Sequence, residues 1–423
     1  MERRAKCKHI EQGGPAAEPI TGGSTAVKGE TSAVTANRVY LDWNATTPLR
    51  PEAKAAMTSA LDLVGNPSSI HAEGRAARGL LEQARAQLAE AVGAVPRDVV
   101  FTSGGTEANA LALTPGLRIG SEPVERLLVS SIEHAAVLSG GRFTAERVDQ
   151  IRVTPDGVVD LDHLRAMLAS GPATLVSVML ANNETGALQP IREVAEIVHE
   201  ASGVLHVDAI QAFGKISFRI KDLGADLLAL SAHKIGGPKG VGALVLGSGL
   251  SGPEPLLRGG GQELGRRAGT ENLVGIAGFG AAAALAIPAI KHDMVRVEGL
   301  RTRLEAGLRH IAGEDGVIMS AGVPRLPNTT LVAIPGLRAE TAVIGFDLAG
   351  IAVSSGSACS SGKVQPSHVL GAMGCGPELA KSAIRISLGW SSSESDIDCC
   401  LEAWRKLVGN IARRDRETVL ERF

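Results

Sequence analysis

From Val39 onward, short apolar runs alternate with amphipathic stretches. The runs at 99–102, 126–130, 174–180, 204–207, 227–230 and 243–246 are almost continuously apolar and rich in β-branched residues. That pattern predicts strands buried on both faces, as in a parallel sheet covered by helices. Residues 76–91 carry Leu80, Leu81, Ala84 and Leu88 three and four apart, the spacing of a helix with one buried face. After an Ala- and Gly-rich helix over 273–290 the texture changes. A charged amphipathic helix from 291 to about 310 leads to strands at 329–334, 351–355 and 384–388, then to a helix over about 395–414. Residues 1–37 are small and polar with no periodic apolar face, as expected of a disordered N-terminal tail. The predicted fold class is α/β: a segment at 38–45 packing with the small domain, a large domain at 46–290 with a mostly parallel mixed sheet, and a smaller α+β C-terminal domain at 291–423.

Composition and charge narrow the class. The chain has 423 residues, enough for two or three structural units at about 150 residues each. Lys plus Arg number 43 against 45 Asp plus Glu, so there is no broad basic surface for nucleic acid. With 44% hydrophobic and 21% charged residues the chain is globular, and with only 3% aromatics its core is aliphatic. The 51 glycines imply many tight turns, some of the kind that cradle phosphate. The five cysteines (Cys7, Cys359, Cys375, Cys399 and Cys400) form no CxxC pair, which fits a reduced, cytoplasmic setting. The stretch 273–290 reaches the length of a membrane span. Its Ala and Gly content and Pro288 predict a buried helix instead, so no membrane association is expected.

The candidate chemistry sits where predicted strands end, the edge at which open α/β sheets place ligands. Phe101-Thr102-Ser103-Gly104-Gly105-Thr106-Glu107 passes from a strand into a helix, with small residues that let main-chain N–H groups approach an anion; taken alone, these residues read better as a plain N-cap turn. Asp208 ends one apolar strand, where a carboxylate is costly unless a cation or donor meets it, with Gln211 three residues on. Lys234 ends another, flanked by Ser231, Ala232 and His233; a poorly solvated lysine there suits a Schiff-base amine. Ser131-Ile132-Glu133-His134 supplies an imidazole able to stack on a ring and shuttle protons. A phosphate cradle, an acid for a pyridinium nitrogen and an imine-forming lysine are the parts of a pyridoxal phosphate site. Ser354-Ser355-Gly356-Ser357-Ala358-Cys359-Ser360-Ser361-Gly362 sets a thiol in a small-residue loop, mobile by expectation, where a nucleophile or sulfur carrier is the functional reading. In Ile384-Arg385-Ile386 a half-buried arginine needs an anion, and an amino-acid carboxylate or a structural salt bridge would serve.

These motifs together resemble the cysteine desulfurases of the NifS/IscS kind, pyridoxal phosphate enzymes of aminotransferase fold type I. The resemblance runs from Tyr40 to about Leu407. It rests on YLDWNATTP (40–48), GNPSSIH (65–71), FTSGGTEAN (101–109), MLANNETG (179–186), HVDAIQAFGK (206–215), SAHKIGGPKG (231–240), RAGTEN (267–272), SSGSACSSG (354–362) and IRISLG (384–389). It implies Lys234 as the cofactor-binding lysine, Asp208 and Gln211 on the ring, and His134 stacked against it. Gly105, Thr106, Ser231 and His233 would form the phosphate shell, with Thr270 reaching the phosphate of a neighbouring subunit in a homodimer with shared sites. Asn183 and Arg385 would bind the substrate, L-cysteine. Cys359 would become a persulfide, release of L-alanine would accompany it, and the sulfur would pass to an iron–sulfur scaffold or other acceptor protein. In some relatives the loop cysteine also helps hold a nascent iron–sulfur cluster, which makes Cys359 a candidate iron ligand. A selenocysteine lyase, or an aminotransferase or β-lyase, would share the cofactor residues. Trp43 stands where the family commonly has Tyr, a change expected to leave the 44–48 anchor intact. Ser367-His368 after the cysteine loop and the short stretch after 413 incline the reading toward the nitrogen-fixation type.

Overall fold

The computed structural model describes residues 38–119, 122–247, 250, 252–356 and 366–420, with side chains as far as 409. The tail at 1–37 and the segment 357–365 with Cys359 lie outside the described residues.

The first strand, β1 (Val39–Tyr40), precedes a seven-stranded sheet. Its members are β2 (Val99–Thr102), β3 (Arg126–Ser130), β4 (Val148–Ile151), β5 (Thr174–Met179), β6 (Val204–Asp208), β7 (Leu227–Ser231) and β8 (Gly242–Leu246), in the order β2-β8-β7-β6-β5-β3-β4. Only β8 runs against its neighbours. Alternate residues feed two cores, as the pleat requires. Val176, Val178, Leu205, Val207, Leu228 and Leu230 face one; Leu175, Val204, Leu227 and Ala229 face the other. Both faces are covered, which is why these strands read as unbroken apolar runs.

The helices α1 (Pro51–Leu61), α2 (Ala72–Val92) and α3 (Gly105–Ala112) lie among these strands in sequence, and α4 (Leu273–Ala289) follows them. On α2, Leu81, Ala84 and Leu88 are buried, while Leu80 is only half-buried. Helix α4 opens a helical stretch, Leu273–Asp315, that is long and apolar enough to cross a membrane by length and composition alone. Its small residues have a different cause: a Cβ added at Gly280 would lie 2.7 Å from Ala84 Cα, so only glycine lets α4 approach α2 this closely. Pro288 lacks the N–H for a regular helix. The chain then takes a π-turn at Ile290–Met294 before α5 (Val295–Ala312), so the helix expected from 291 starts later.

A second sheet contains β9 (Val317–Ile318), β10 (Thr329–Ala333), β12 (Ser354–Ser355) and β13 (Ile384–Ser387), all antiparallel, in the order β9-β10-β13-β12. The expected single strand at 351–355 is two. Between β10 and β12, the strand β11 (Ile351–Ala352) pairs instead with β1 in parallel. A bridge from Asp42 to Ser387 continues the contact of the N-terminal segment with this sheet. The last helix, α6 (Glu394–Leu420), opens on a reciprocal cap, Ser393 N–H to Asp396 Oδ2 at 2.8 Å and Asp396 N–H to Ser393 Oγ at 3.3 Å, and outruns its expected end. Ile132 and Met179 at the large sheet's edge join Leu331, Ala333, Val369 and Leu370 in one apolar cluster, which fixes the second sheet over that edge.

Candidate active site

Because β2, β3, β5, β6 and β7 run parallel, their carboxyl ends open on one edge, and a cleft of about 230 Å³ lies there. Gly105 and Thr106 line it after β2, His134 after β3 and Asn183 after β5. Asp208 and Gln211 line it from β6, and Ser231, His233 and Lys234 from β7.

Asp208 is buried, with Oδ1 accepting from Ile210 N–H at 3.0 Å and Oδ2 from Asn109 Nδ2 at 2.7 Å. Both donors are neutral. Burial therefore raises its pKa, against the pull of those hydrogen bonds and of His134 and Lys234. Lys234 ends a 3-10 turn after β7, and its Nζ donates to the main-chain oxygens of Asn44 at 2.6 Å and Ala45 at 2.8 Å. Burial pushes this amine down to about 8; Arg385 adds to the shift, and Asp42 and Asp208 oppose it. Relative to an ordinary lysine, that is about 3 kcal/mol against the charged form.

His134 caps a short helical turn, its Nδ1 accepting from Ala136 N–H at 3.1 Å, which leaves the proton of the neutral ring on Nε2. Burial lowers its pKa, with Asp208 opposing. His233 is pushed down to about 4 by burial and then by Lys234, so it acts as a neutral group held by Thr46 Oγ1 at 3.2 Å. Helix α3 begins with Gly104 as a cap that has no side chain, so no side-chain oxygen occupies its first N–H groups.

Arg385 stands behind Asn183 rather than in the cleft wall. Its Nη1 donates to Asn183 O at 3.1 Å and its Nη2 pairs with Asp42 Oδ1 at 2.8 Å, while Nε is buried without a partner. Thr270 is not brought to the cleft. It is exposed and lines a separate cavity of about 160 Å³ with Ser103, Glu263 and Arg267. The turn before it is held in left-handed backbone at Glu263 (φ 49) and Leu264 (φ 57), conformations that cost a non-glycine residue energy. Arg85 grips both Glu263 oxygens, at 2.7 and 2.8 Å, and Phe101 N–H binds one of them at 2.9 Å.

Three participants escaped the sequence reading as site residues: Asn109, Asn44 and Lys215, although all three lie within the quoted motifs. Asn109 was findable, being four residues beyond Gly105 and so on the same helix face. Trp43 replaces the family's usual Tyr by packing its ring edge-on to Trp390, centroids 4.7 Å apart, and donating Nε1–H to Tyr40 O at 3.0 Å. The adjacent anchor holds: Thr47 N–H and Oγ1 both reach His233 O at 2.9 Å.

A cleft at the carboxyl edge of such a sheet, with a lysine, a buried acid and a helix N-terminus converging on it, defines a class. Residues 39–399 match the aminotransferase class-V family, and the chain belongs to that family of pyridoxal phosphate-dependent enzymes. Within it, the chain is 45% identical over 381 residues to a cysteine desulfurase of Cereibacter sphaeroides, covering 88% of this chain and 96% of that one. It is 40% identical to the cysteine desulfurase IscS of Dictyoglomus turgidum, covering 88% and 94%. The crystal structure of a NifS-like protein from Rickettsia africae superposes with a TM-score of 0.79 at 40% identity, over 88% of this chain and 99% of that one.

Proposed function

We propose that this chain is a cysteine desulfurase, which releases L-alanine from L-cysteine and carries the removed sulfur on Cys359 as a persulfide for iron–sulfur cluster assembly. The observation that supports this reading most is the pairing in one cleft of a lysine amine near pKa 8 with a buried carboxylate that has only neutral donors. The residues fit pyridoxal phosphate. A buried carboxylate lacking a counter-ion suits a protonated ring nitrogen, and Asn109 Oδ1, buried without a partner, sits beside it. The uncapped first turn of α3, with Thr106, Ser231 and His233, suits the phosphate. Pyridoxal phosphate, when bound, supplies an electron sink for charge developing at the α-carbon of an amino acid.

The chain's own groups do the rest. Lys234 would hold the cofactor aldehyde and, once displaced by substrate, move protons at the α-carbon, a role suited to an amine that burial lowers to about 8. His134 offers a ring face and an Nε2–H donor. Asn183 and Arg385 orient the substrate carboxylate. The Cys359 thiolate attacks the substrate sulfur, forming the S–S bond as the C–S bond breaks, and the carbon is protonated to give alanine. We assign Thr270 to the neighbouring subunit's phosphate, because it faces its own separate cavity, which makes the functional unit a homodimer. The thiol chemistry suits the cytoplasm, and Cys359 would hold iron only while a cluster is being handed on.

Mass spectrometry after brief exposure to L-cysteine tests the reading. One added sulfur on the peptide bearing Cys359, matched by alanine, is expected, and Cys359→Ser should lose both. Formation of pyruvate with sulfide, or of a 2-oxo acid with the sulfur retained, at a rate unaffected by Cys359→Ser would instead identify a β-lyase or an aminotransferase.

A further inference from the structure

Lys215 lies four residues beyond Gln211 in the turn after β6 and is only 6% exposed. Its Nζ donates to two amide oxygens, Gln211 Oε1 at 2.7 Å and Asn44 Oδ1 at 3.1 Å. No carboxylate pairs with it among the described residues. Burial drives its ammonium form far below the usual lysine range, and Lys234 and Arg385 push the same way. Its donors are spent on two amide oxygens and on no carboxylate among the described residues. A lysine at this depth buries a polar group where a leucine or methionine would pack at lower cost, so its donors are the reason to look closer.

An amide whose oxygen is held by a donor must turn its nitrogen the other way. Gln211 Nε2 accordingly donates to the main-chain oxygen of Asn44 at 3.0 Å, the carbonyl that also accepts from Lys234 Nζ. Asn44 Nδ2 in turn reaches Asn183 O at 3.2 Å and Thr329 Oγ1 at 2.9 Å, and Asn183 O accepts from Arg385 as well. One amine thus fixes two amides, one on the wall built by the large sheet and one on the wall shared with the second sheet.

We propose that Lys215 is a positioning residue: it locks the Gln211 amide with its N–H side toward the cofactor wall and, through Asn44, couples that wall to the Asn183–Arg385 side. This rests on the cofactor reading given above. Without the lock, the Gln211 amide keeps only its Nε2 bond to Asn44 O, so a flip that presents its oxygen costs less, a loss of preorganisation rather than of a reacting group.

The test is the pH midpoint of the visible absorption band of the pyridoxal phosphate-loaded protein, recorded with no substrate present. An N–H donor near the ring oxygen favours the deprotonated form of the chromophore. Lys215→Met should therefore raise the midpoint by about half a unit or more, while thermal unfolding of the cofactor-free protein reports whether the fold is intact. In a Gln211→Ala background the same substitution should leave the midpoint unmoved, because the effect passes through that amide. Should Lys215→Met not fold, Lys215→Gln, which keeps a donor on a shorter reach, carries the same comparison with a smaller rise. An unchanged midpoint, or an equal shift in both backgrounds, overturns the proposal alone. A wild-type protein that develops no visible band overturns the cofactor reading and this proposal with it.

Discussion

On the large-sheet wall of the cleft, Asp208 is buried among neutral donors, Ile210 N–H and Asn109 Nδ2. Behind Asn183, on the side shared with the second sheet, Arg385 is equally buried but already holds a carboxylate, Asp42 at 2.8 Å. The difference is one of unmet charge. A buried acid without a counter-ion is held at a cost that a cationic ring nitrogen would relieve, so that wall is preset for a group it binds permanently. Arg385 has its counter-ion, and an incoming carboxylate has to share or displace it. The first wall is built for chemistry, the second for exchange.

Removing the amine from the first wall should have the largest effect. Lys234→Ala is expected to abolish the visible band and cut alanine formation by about a thousandfold or more, since on the proposed function it deletes both the cofactor attachment and the proton carrier. Steady-state turnover and an absorbance scan check both. Retention of the normal band would place the attachment elsewhere and erase the distinction between the walls. The second wall should respond in KM instead. Arg385→Ala is expected to raise KM for L-cysteine about tenfold or more with the resting band intact. Asp42→Asn, which frees the Arg385 fork from its competitor, should lower KM by a factor of about two or three. If both substitutions raised KM alike, Asp42 would be part of the substrate site and not a placeholder in it.

How far this arrangement could be read from the sequence depended on whether a residue's surroundings were local. The strands at 99–102 and 126–130 were legible because both of their faces are buried, and the apolar runs carry that directly. Val148–Ile151 was not: as the outermost strand it exposes Asp149 and Gln150 and reads as a loop. The 351–355 run looked like one strand because nothing in it announces that β11 pairs with β1, whose Val39 lies opposite Ile351, while β12 pairs with β13, whose Arg385 lies opposite Ser354. The residues that line the cleft were legible as strand-end motifs. Lys215 and Asn44 were not, because a lysine or an asparagine in sequence looks solvated; only the fold shows each satisfying the other. Thr270 could be named by its motif, but its distance from its own cleft is a fact of the tertiary structure.

The smallest predicted effect isolates the electrostatics of Lys234 from catalysis. Burial and Arg385 hold its amine at about 8 instead of 10.5, with Asp42 and Asp208 pulling the other way. Only the free base attacks an aldehyde, so the rate at which cofactor-free protein takes up pyridoxal phosphate follows the deprotonated fraction. That fraction rises about tenfold between pH 7 and pH 9 for a group near 8 and then levels off. An unshifted lysine would keep rising past pH 9, by about eightfold to pH 10, and level off only near pH 11. Stopped-flow absorbance at limiting cofactor distinguishes the two curves. Asp42→Asn removes one of the opposing carboxylates and should move the midpoint lower still, so a midpoint that rises in that variant would mean Asp42 acts on Lys234 through Arg385 and not directly.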